Sequence, residues 1–342
     1  MREKRPTMRD VARAAGVGLM TVSRVVNGEP GVQPEMAARV ERAIRQLGYQ
    51  RNDMARLLRR GQSTQTIGLL VDDLANPFYA ALARAVEDAA MLRSCVVLIG
   101  SSNDDLRRER DVVSAFLSRR VDGLILVPVA GSHRFLRNQQ DLGLKVVCVD
   151  RPAENLDTDT VLVDNRSGAR EAVAHLLQQG HRRIAYLGDR DNIWTVRERY
   201  EGFREALAAE GLTAEPALEV HGLRTRADAA SAAAALMRGT DRPTALFASN
   251  DLVTMGVIEV LRSAGDAAYP DVALVGFDEF AMADKMSLPV TVVAQDPAAL
   301  GAASAQLLFA RIAGDSSPPR EVTLRTRLLI RGSGEVKPPA AS

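Results

Sequence analysis

The chain is short of the groups that announce covalent or metal chemistry. Its 342 residues include only 2 cysteines and 4 histidines. Cys95 and Cys148 sit in the apolar, strand-like runs "CVVLIG" and "VVCVD", so reduced, buried core thiols are expected rather than a disulfide or a nucleophile. The closest pair of histidines, His175 and His181, flanks the end of a helical stretch instead of sharing one face, which excludes the two-ligand spacing of a helical zinc site. A G-x-S-x-G elbow and a P-loop are both missing. Paired aspartates can do acid–base work, but without those partners the expectation is a binding protein, not an enzyme, with no cofactor and no metal. No run of about 18 apolar residues is present to span a bilayer. The opening "MREKRPTMRD" is charged where a secretion signal is apolar. A cytoplasmic protein without membrane contact is expected.

A third glycine is missing too. "AGVGLMTVSRVVNG", residues 15–28, begins like a dinucleotide-binding loop, yet Met8 to Ala15 has helical spacing and Thr21 stands where the last glycine is needed. The glycines punctuate helices instead. Met8, Val11, Ala12 and Ala15 recur at i, i+3, i+4 and i+7. Gly16 stops that helix, because glycine takes positive φ without a Cβ clash, and a second helix starts near Leu19. Small Ala12 lets the two cross closely, which is the outline of a helix-turn-helix. On the second helix Val22, Val25 and Val26 share the inner side, while Met20, Arg24 and Asn27 share the outer. A third helix in "QPEMAARVERAIRQLGY" is expected to turn Met36, Val40, Ile44 and Leu47 inward before Gly48 ends it.

The formal charge of +1 conceals an asymmetry: residues 1–61 hold 13 Lys and Arg against 6 Asp and Glu, a balance of +7, leaving 31 against 37, or −6, for the rest. A basic head of this kind suits a polyanion, because Lys and Arg displace condensed counterions from a phosphate backbone. A merely solvated basic face is the plain alternative, which the turn and its position disfavour. In a helix-turn-helix the outer face of the second helix enters the major groove. Arg24 can then reach guanine in bidentate fashion, Leu19 and Met20 can touch thymine methyls, and Thr21 and Ser23 can reach phosphates. Further on, "NDMARLLRRGQST" offers Asn52 as a cap for a helix too short to persist alone. Its Met54, Leu57 and Leu58 among arginines suit a wedge in a minor groove.

Taken together, "MRDVARAAGVGLMTVSRVVNG", "RVERAIRQLGYQRNDMARLLRRG" and "IGLLVDDLANPFYAAL" resemble, in order, the LacI/GalR family of bacterial transcription regulators. The resemblance implies base-reading positions at Leu19, Met20 and Arg24. It implies support and phosphate contact at Thr21, Ser23 and Asn27, and an intercalating hinge leucine at Leu58 with Ala55 beside it. Three residues depart from the family pattern: Gly18 and Gln33 replace usual cap serines, and Arg51 replaces the usual proline before the hinge asparagine. Replacing a serine cap by glycine costs only about a few tenths of a kcal/mol.

Beyond Thr66 the runs "TIGLLV", "CVVLIG", "GLILVP", "KVVCVD", "TVLVD", "RRIAYLG", "TALFAS" and "VALVGFD" alternate with helical stretches, the signature of parallel sheets covered on both faces. The expected organisation is an all-α helix-turn-helix head over 1–50, a hinge helix and linker over 51–65, and an α/β body over 66–342. By resemblance the body is periplasmic-binding-protein-like, with two doubly wound parallel-sheet lobes, about 66–163 with 293–319 and about 164–292 with 320–332. Ligands of open parallel sheets sit beyond the strand carboxyl ends. Asp72 and Asp73, Asp150 and Arg151, Asn250 and Asp251, and Asp278 all follow strands directly. Such groups satisfy sugar hydroxyls, which both donate and accept, while Phe78 or Trp194 can stack on a ring face. The resemblance implies effector contacts from Asp72, Phe78, Asp150, Arg199, Asn250, Asp278 and Gln295, with Arg151 as a further candidate. The expected partners are operator DNA, a small effector such as a sugar, and a second copy of the chain. The tail "GEVKPPAAS" has no leucine heptad, so a tetramer-forming coil is not expected. A solute-binding protein with the same body is the competing reading, opposed by the basic head.

Overall fold

The computed structural model describes residues 6–49, 64–239, 241–262 and 269–339, and the chain divides into two compact units, Met1–Thr64 and Gln65–Ser342. The first unit holds helices α1 (Met8–Ala15), α2 (Leu19–Asn27) and α3 (Pro34–Leu47). Helix α1 opens with a capping box, in which Thr7 and Asp10 each accept from the other's backbone N–H. Gly16 and Gly28 close α1 and α2 in the left-handed conformation, their N–H groups returning to last-turn carbonyls. Gly18 and Gln33 supply no side-chain cap to α2 or α3, in keeping with the serines they replace.

The core of this unit is Val11, Ala15, Val22, Val40 and Ala43, with Val25, Val26 and Ile44 packed against it. The expected inner stripe of α3 is therefore half wrong: Met36 and Leu47 are 42% and 37% exposed, and Ala43 takes the inner place. The cause is length. Helix α3 has 14 residues against 8 and 9 in its partners, so its two ends overhang them. The expected hinge helix, with Ala55 and Leu58, lies outside the described residues.

The second unit contains two six-stranded sheets, ordered β11-β5-β4-β3-β1-β2 and β12-β10-β9-β8-β6-β7. The first lobe's strands are β1 (Thr66–Val71), β2 (Val96–Ser101), β3 (Gly123–Leu126), β4 (Lys145–Val149), β5 (Asp159–Val163) and β11 (Glu321–Leu324). The second lobe's are β6 (Ile184–Leu187), β7 (Glu219–Val220), β8 (Ala245–Ala248), β9 (Ala273–Phe277), β10 (Thr291–Ala294) and β12 (Arg327–Leu329). Pairing is parallel throughout except between β10 and β12. The first sheet is covered by α4 (Pro77–Met91), α5 (Leu106–Ser118), α6 (Arg134–Asp141) and α11 (Pro297–Ile312). The second lobe carries α7 (Asn165–Gln178), α8 (Trp194–Ala209), α9 (Arg226–Met237) and α10 (Asp251–Arg262).

All eight expected apolar runs form strands, and the lobes divide after Val163. The later crossings fall elsewhere than expected. Val293 still belongs to β10, paired with β9 of the second lobe, while β11 pairs with β5 of the first. The return to the first lobe thus runs from α11 through Leu324, not from Val293 to Pro319. Packing explains it: Leu300, Ala305 and Leu308 of α11 are fully buried in the first lobe's core, and Val322 and Leu324 of β11 pack on the same cluster. Cys148 is buried, but Cys95 is only half-buried, and both are free. Strand β2 is a sheet edge whose Val96 and Ile99 are exposed, so the apolar run around Cys95 is not a core run.

Three helix pairs close on single glycines. A Cβ built on Gly301, Gly202 or Gly256 would collide with the carbonyl oxygen of Leu82, Arg166 or Arg226 respectively, so α11–α4, α8–α7 and α10–α9 meet at backbone distance. Among the described residues no helix is long and apolar enough to cross a membrane.

Candidate functional site

In the first unit, α2 turns one face outward. Leu19 and Met20 are 45% and 72% exposed, and Arg24 is exposed, whereas Thr21, Ser23 and Asn27 are half-buried. Val22 anchors the opposite face in the core. The Asn27 amide donates to Ser23 Oγ at 3.4 Å and to Glu29 Oε1 at 3.2 Å. It therefore steadies the last turn of α2 as well as facing outward. This face offers apolar side chains early and a guanidinium one turn later.

In the second unit the carboxyl ends of both sheets open onto a cavity of about 330 Å³. Eight predicted residues line it: Asp72, Phe78, Asp150, Arg151, Arg199, Asn250, Asp278 and Gln295. Trp194 does not. It lines a neighbouring cavity of about 220 Å³, standing at the first position of α8, with Arg199 further along inside the same helix.

The two lobes place their main carboxylates alike. Asp150 follows β4 and Asp278 follows β9, with φ of 69° and 73°, a left-handed conformation that aspartate tolerates better than most residues. Each donates its backbone N–H at 2.9 Å to the neighbouring strand, Asp150 to the Val161 carbonyl and Asp278 to that of Val293. The tight turn directs both side chains over the sheet ends.

Arg151 is buried and held from three sides. Its Nη2 donates to Asp72 Oδ2 at 2.8 Å and to the Tyr79 hydroxyl at 3.2 Å, and its Nη1 donates to Asp104 Oδ1 at 3.4 Å. Tyr79 in turn donates to Asp150 Oδ2 at 3.1 Å. Across the cleft, the buried Arg199 donates to Asn165 Oδ1 at 2.7 Å, to the Ser249 carbonyl at 2.6 Å and to Asp278 Oδ2 at 3.2 Å. Its guanidinium carbon lies 3.7 Å above the Phe277 ring centre. Gln295 donates to Asp278 Oδ1. One ion pair joins the lobes directly, Arg190 Nη2 to Asp104 Oδ2 at 2.5 Å.

Asn250 caps the start of α10, its Oδ1 accepting from the Val253 N–H at 2.8 Å. Asp72 does not act as a helix cap; Asn76 does, accepting from Phe78 N–H at 2.8 Å. Asp251, named beside Asn250 at its strand end, lines the cavity as well, whereas Tyr79, Asp104 and Arg190 are cavity residues that the sequence reading missed. Tyr79 follows Phe78 directly and Asp104 lies just after β2, so adjacency was a usable signal for both. Arg190 gave none.

Burial pushes the Asp150 carboxyl up, opposed chiefly by Arg151. Burial also raises Asp104 and, together with the charge of Asp278, lifts Asp251 to about 6. Tyr79 is raised well above a free phenol, again by burial, and so keeps its proton as a donor. Seven carboxylates line the cavity against four arginines, which leaves a polar pocket with surplus acceptors and no unneutralised cation at Arg151 or Arg199.

The comparisons with known proteins divide at the same place as the fold. Residues 7–52 match the family of bacterial regulatory proteins, lacI family, and residues 64–331 match the periplasmic binding proteins and sugar binding domain of LacI family. The chain is 33% identical to the HTH-type transcriptional regulator CelR of Thermobifida fusca, over 97% of this chain and 99% of the relative. It is also 33% identical to the ribose operon repressor of Escherichia coli K12, over 96% and 99%. Among solved structures, a transcriptional regulator CelR–cellobiose complex aligns over 96% of this chain and 100% of that one, with 32% identity and a TM-score of 0.71. The lac repressor dimer bound to operator shares the fold at a TM-score of 0.81 and 24% identity, over 97% and 99%. These relatives are regulators rather than enzymes. A helix-turn-helix head followed by a two-lobed binding body, matched by family models on both parts, makes this chain a member of the LacI family of bacterial transcriptional regulators.

Proposed function

We propose that the protein is a homodimeric repressor that acts in the cytoplasm, reads a near-palindromic operator through α2 of each head, and answers to a neutral polyhydroxyl effector. It performs no catalysis. Leu19, Met20 and Arg24 read base edges, Thr21, Ser23 and Asn27 support the phosphate contacts, and Leu58 with Ala55 serves the hinge wedge. The effector is held by Asp72, Phe78, Asp150, Arg151, Arg199, Asn250, Asp278 and Gln295. One observation carries the ligand chemistry: the cleft holds three more carboxylates than arginines, and both central arginines are already engaged by carboxylates. A phosphorylated ligand would meet surplus like charge with only the exposed Arg224 of the four lining arginines outside a carboxylate pair, whereas sugar hydroxyls donate to surplus carboxylate oxygens. Ligand contact from both lobes favours one relative arrangement of them, which is the means of coupling to DNA.

A thermal-shift titration tests this. Neutral sugars at one hundred times their dissociation constant should stabilise the protein by about 2.7 kcal/mol, with sugar phosphates inert. Stabilisation by phosphates alone would refute the neutral-ligand reading. In parallel, an operator selected from a random duplex pool should prove near-palindromic and should be released, or retained, on addition of the same sugar.

A further inference from the structure

The two walls of the cleft carry unequal charge. Of the residues lining the larger cavity, the first lobe supplies four carboxylates and one arginine, and the second supplies three of each. The second lobe's cations therefore face the first lobe's surplus, and one of them reaches across. Arg190, in the loop after β6, brings Nη2 to 2.5 Å from Asp104 Oδ2, in the loop after β2. Among the described residues no other ion pair joins the two lobes.

Neither residue is fully engaged within its own lobe. Helix α5 is capped by Asp105, which accepts from the Arg107 and Arg108 N–H groups, so Asp104 has no capping role there. Its Oδ1 accepts from Arg151 Nη1 at 3.4 Å. That leaves Oδ2, an atom out of contact with water, to Arg190. A carboxylate oxygen removed from water is costly unless a charge answers it. The Arg190 side chain is 29% exposed, and its partner in its own lobe is Asp189, at a looser 3.5 Å.

Both ends of the contact are firmly mounted. Asn103 and Asp104 stand in succession at φ of 52°, a conformation that costs a non-glycine residue free energy and persists only where its surroundings dictate it. The Asn103 N–H donates to the Asp72 carbonyl at 2.8 Å, and the Asp105 N–H to that of Ser102 at 3.1 Å. Across the cleft, the Gly222 and Leu223 N–H groups donate to the Asp189 and Gly188 carbonyls at 3.1 and 3.0 Å. Asp191 Oδ1 lies 2.7 Å from His221 Nδ1. The Arg190 loop is thus tied on both flanks to the loop after β7.

We propose that Arg190 and Asp104 form a latch that holds the lobes together before any effector arrives. The effector then meets a cleft whose two walls already stand in place, and the protein's own ion pair offsets part of the free energy of bringing them together. Because Arg190 is partly exposed, salt loosens the latch. The latch adds to the interlobe coupling proposed above, yet it consists of protein groups alone and can be tested without an effector.

Trp194 supplies the measurement. It is the single tryptophan of the chain, half-buried at the first position of α8, and it lines the smaller cavity together with Val129 and Pro152 of the first lobe. Acrylamide quenching of its fluorescence in the full chain should rise between low salt and about 1 M NaCl, where charges are screened beyond about 3 Å. Arg190→Gln and Asp104→Asn should each raise the low-salt quenching to that high-salt level and abolish the salt dependence. The double variant should go no further, since both changes break one contact. Asp104 lies in the opposite lobe from Trp194, so the same shift from Asp104→Asn reports the lobes and not the Arg190 loop. Unaltered quenching in either single variant, additive effects in the double variant, or a response to Arg190→Gln alone overturns the latch. Calorimetry with D-glucose, D-galactose and D-ribose separates this result from the ligand reading. A sugar that binds the unaltered protein should bind both variants more weakly, and equal affinity overturns the latch alone. If none of the three binds while the quenching pattern holds, the polyhydroxyl reading fails and the latch stands.

Discussion

The two lobes share a strand order and put an aspartate in the same strained position at the same strand end, yet they neutralise their arginines differently. In the first lobe Arg151 faces Asp72, Asp104 and Asp150. In the second, Arg199 faces one carboxylate, Asp278, and fills its remaining valences with Asn165 and the Ser249 carbonyl. A repeated fold thus fixes where functional groups stand, and the residues grafted onto it decide their charge. The first half of the cleft is a crowded ionic cluster; the second is a hydrogen-bonded seat.

Replacing each arginine should break the comparison open. Arg151→Ala leaves Asp72 and Asp150 without their cation, Asp104 keeping Arg190, and removing one partner of a buried pair costs about 3–5 kcal/mol. Denaturant unfolding should show that loss for Arg151→Ala and a smaller one for Arg199→Ala, because Gln295 still donates to Asp278. Ligand stabilisation should vanish in Arg199→Ala while operator binding remains measurable. Equal destabilisation by the two variants would mean that the lobes are not electrostatically distinct. Arg199→Lys should not restore ligand binding, since an ammonium cannot serve Asn165, Ser249 and Asp278 in one plane.

Packing is where the lobes ought to agree. Gly301 in the first and Gly202 in the second both let a helix touch the carbonyl of its neighbour. Alanine at either site forces the helices apart, an overpacking cost of about 1–3 kcal/mol. Thermal melts of Gly301→Ala and Gly202→Ala should fall by similar amounts. A large difference would show that one helix pair can slide where the other cannot.

Much of this was legible in the sequence, and the exceptions have physical reasons. Seven of the eight apolar runs are buried almost throughout, edge strand β2 being the exception, and such strands read as continuous hydrophobic segments. Short β7 and the late strands β10 to β12 carry weaker patterns because they lie at or near sheet edges. Residues directly after a strand, such as Asp72, Asp150 and Asp278, were found because parallel topology fixes where strand ends point. Arg190 was not, since its partner Asp104 belongs to the other lobe and no local spacing encodes a contact 86 positions away. Met36 and Leu47 misled for the opposite reason: periodicity places them on the inner face of α3, but only partner length decides whether anything covers them.

The head and the body differ in how binding is purchased. Arg24 is exposed and carries no fold, in contrast to Arg199. Arg24→Ala should therefore leave the melting temperature unchanged while weakening operator binding by about 1–3 kcal/mol and relaxing preference at one base pair per half-site. A gel-shift titration with base-substituted operators reads both effects. Unaltered affinity and preference would remove Arg24 from the reading face.

The smallest expected effect separates Asp251 from its neighbour Asp278 in the same seat. Burial and the nearby Asp278 charge lift Asp251 to about 6, above the value of an aspartate in the unfolded chain, so the folded state binds this proton more tightly. The sign follows: acidification through pH 6 stabilises the fold, the contribution is complete below the unfolded value, and it is lost as pH rises past 6. Between pH 7 and pH 5 the gain is about 1 kcal/mol. Asp251→Asn, close in shape and without a titrating proton, should lack that gain, so the stability difference between the two proteins should change by this amount across the window. A pH-independent difference would place the raised carboxyl elsewhere in the cleft. The same titration bears on the ligand, because protonated Asp251 presents a donor where the ionised form presents only acceptors. A neutral sugar that donates to Asp251 should accordingly bind more weakly at pH 5 than at pH 7, and Asp251→Asn should flatten that dependence.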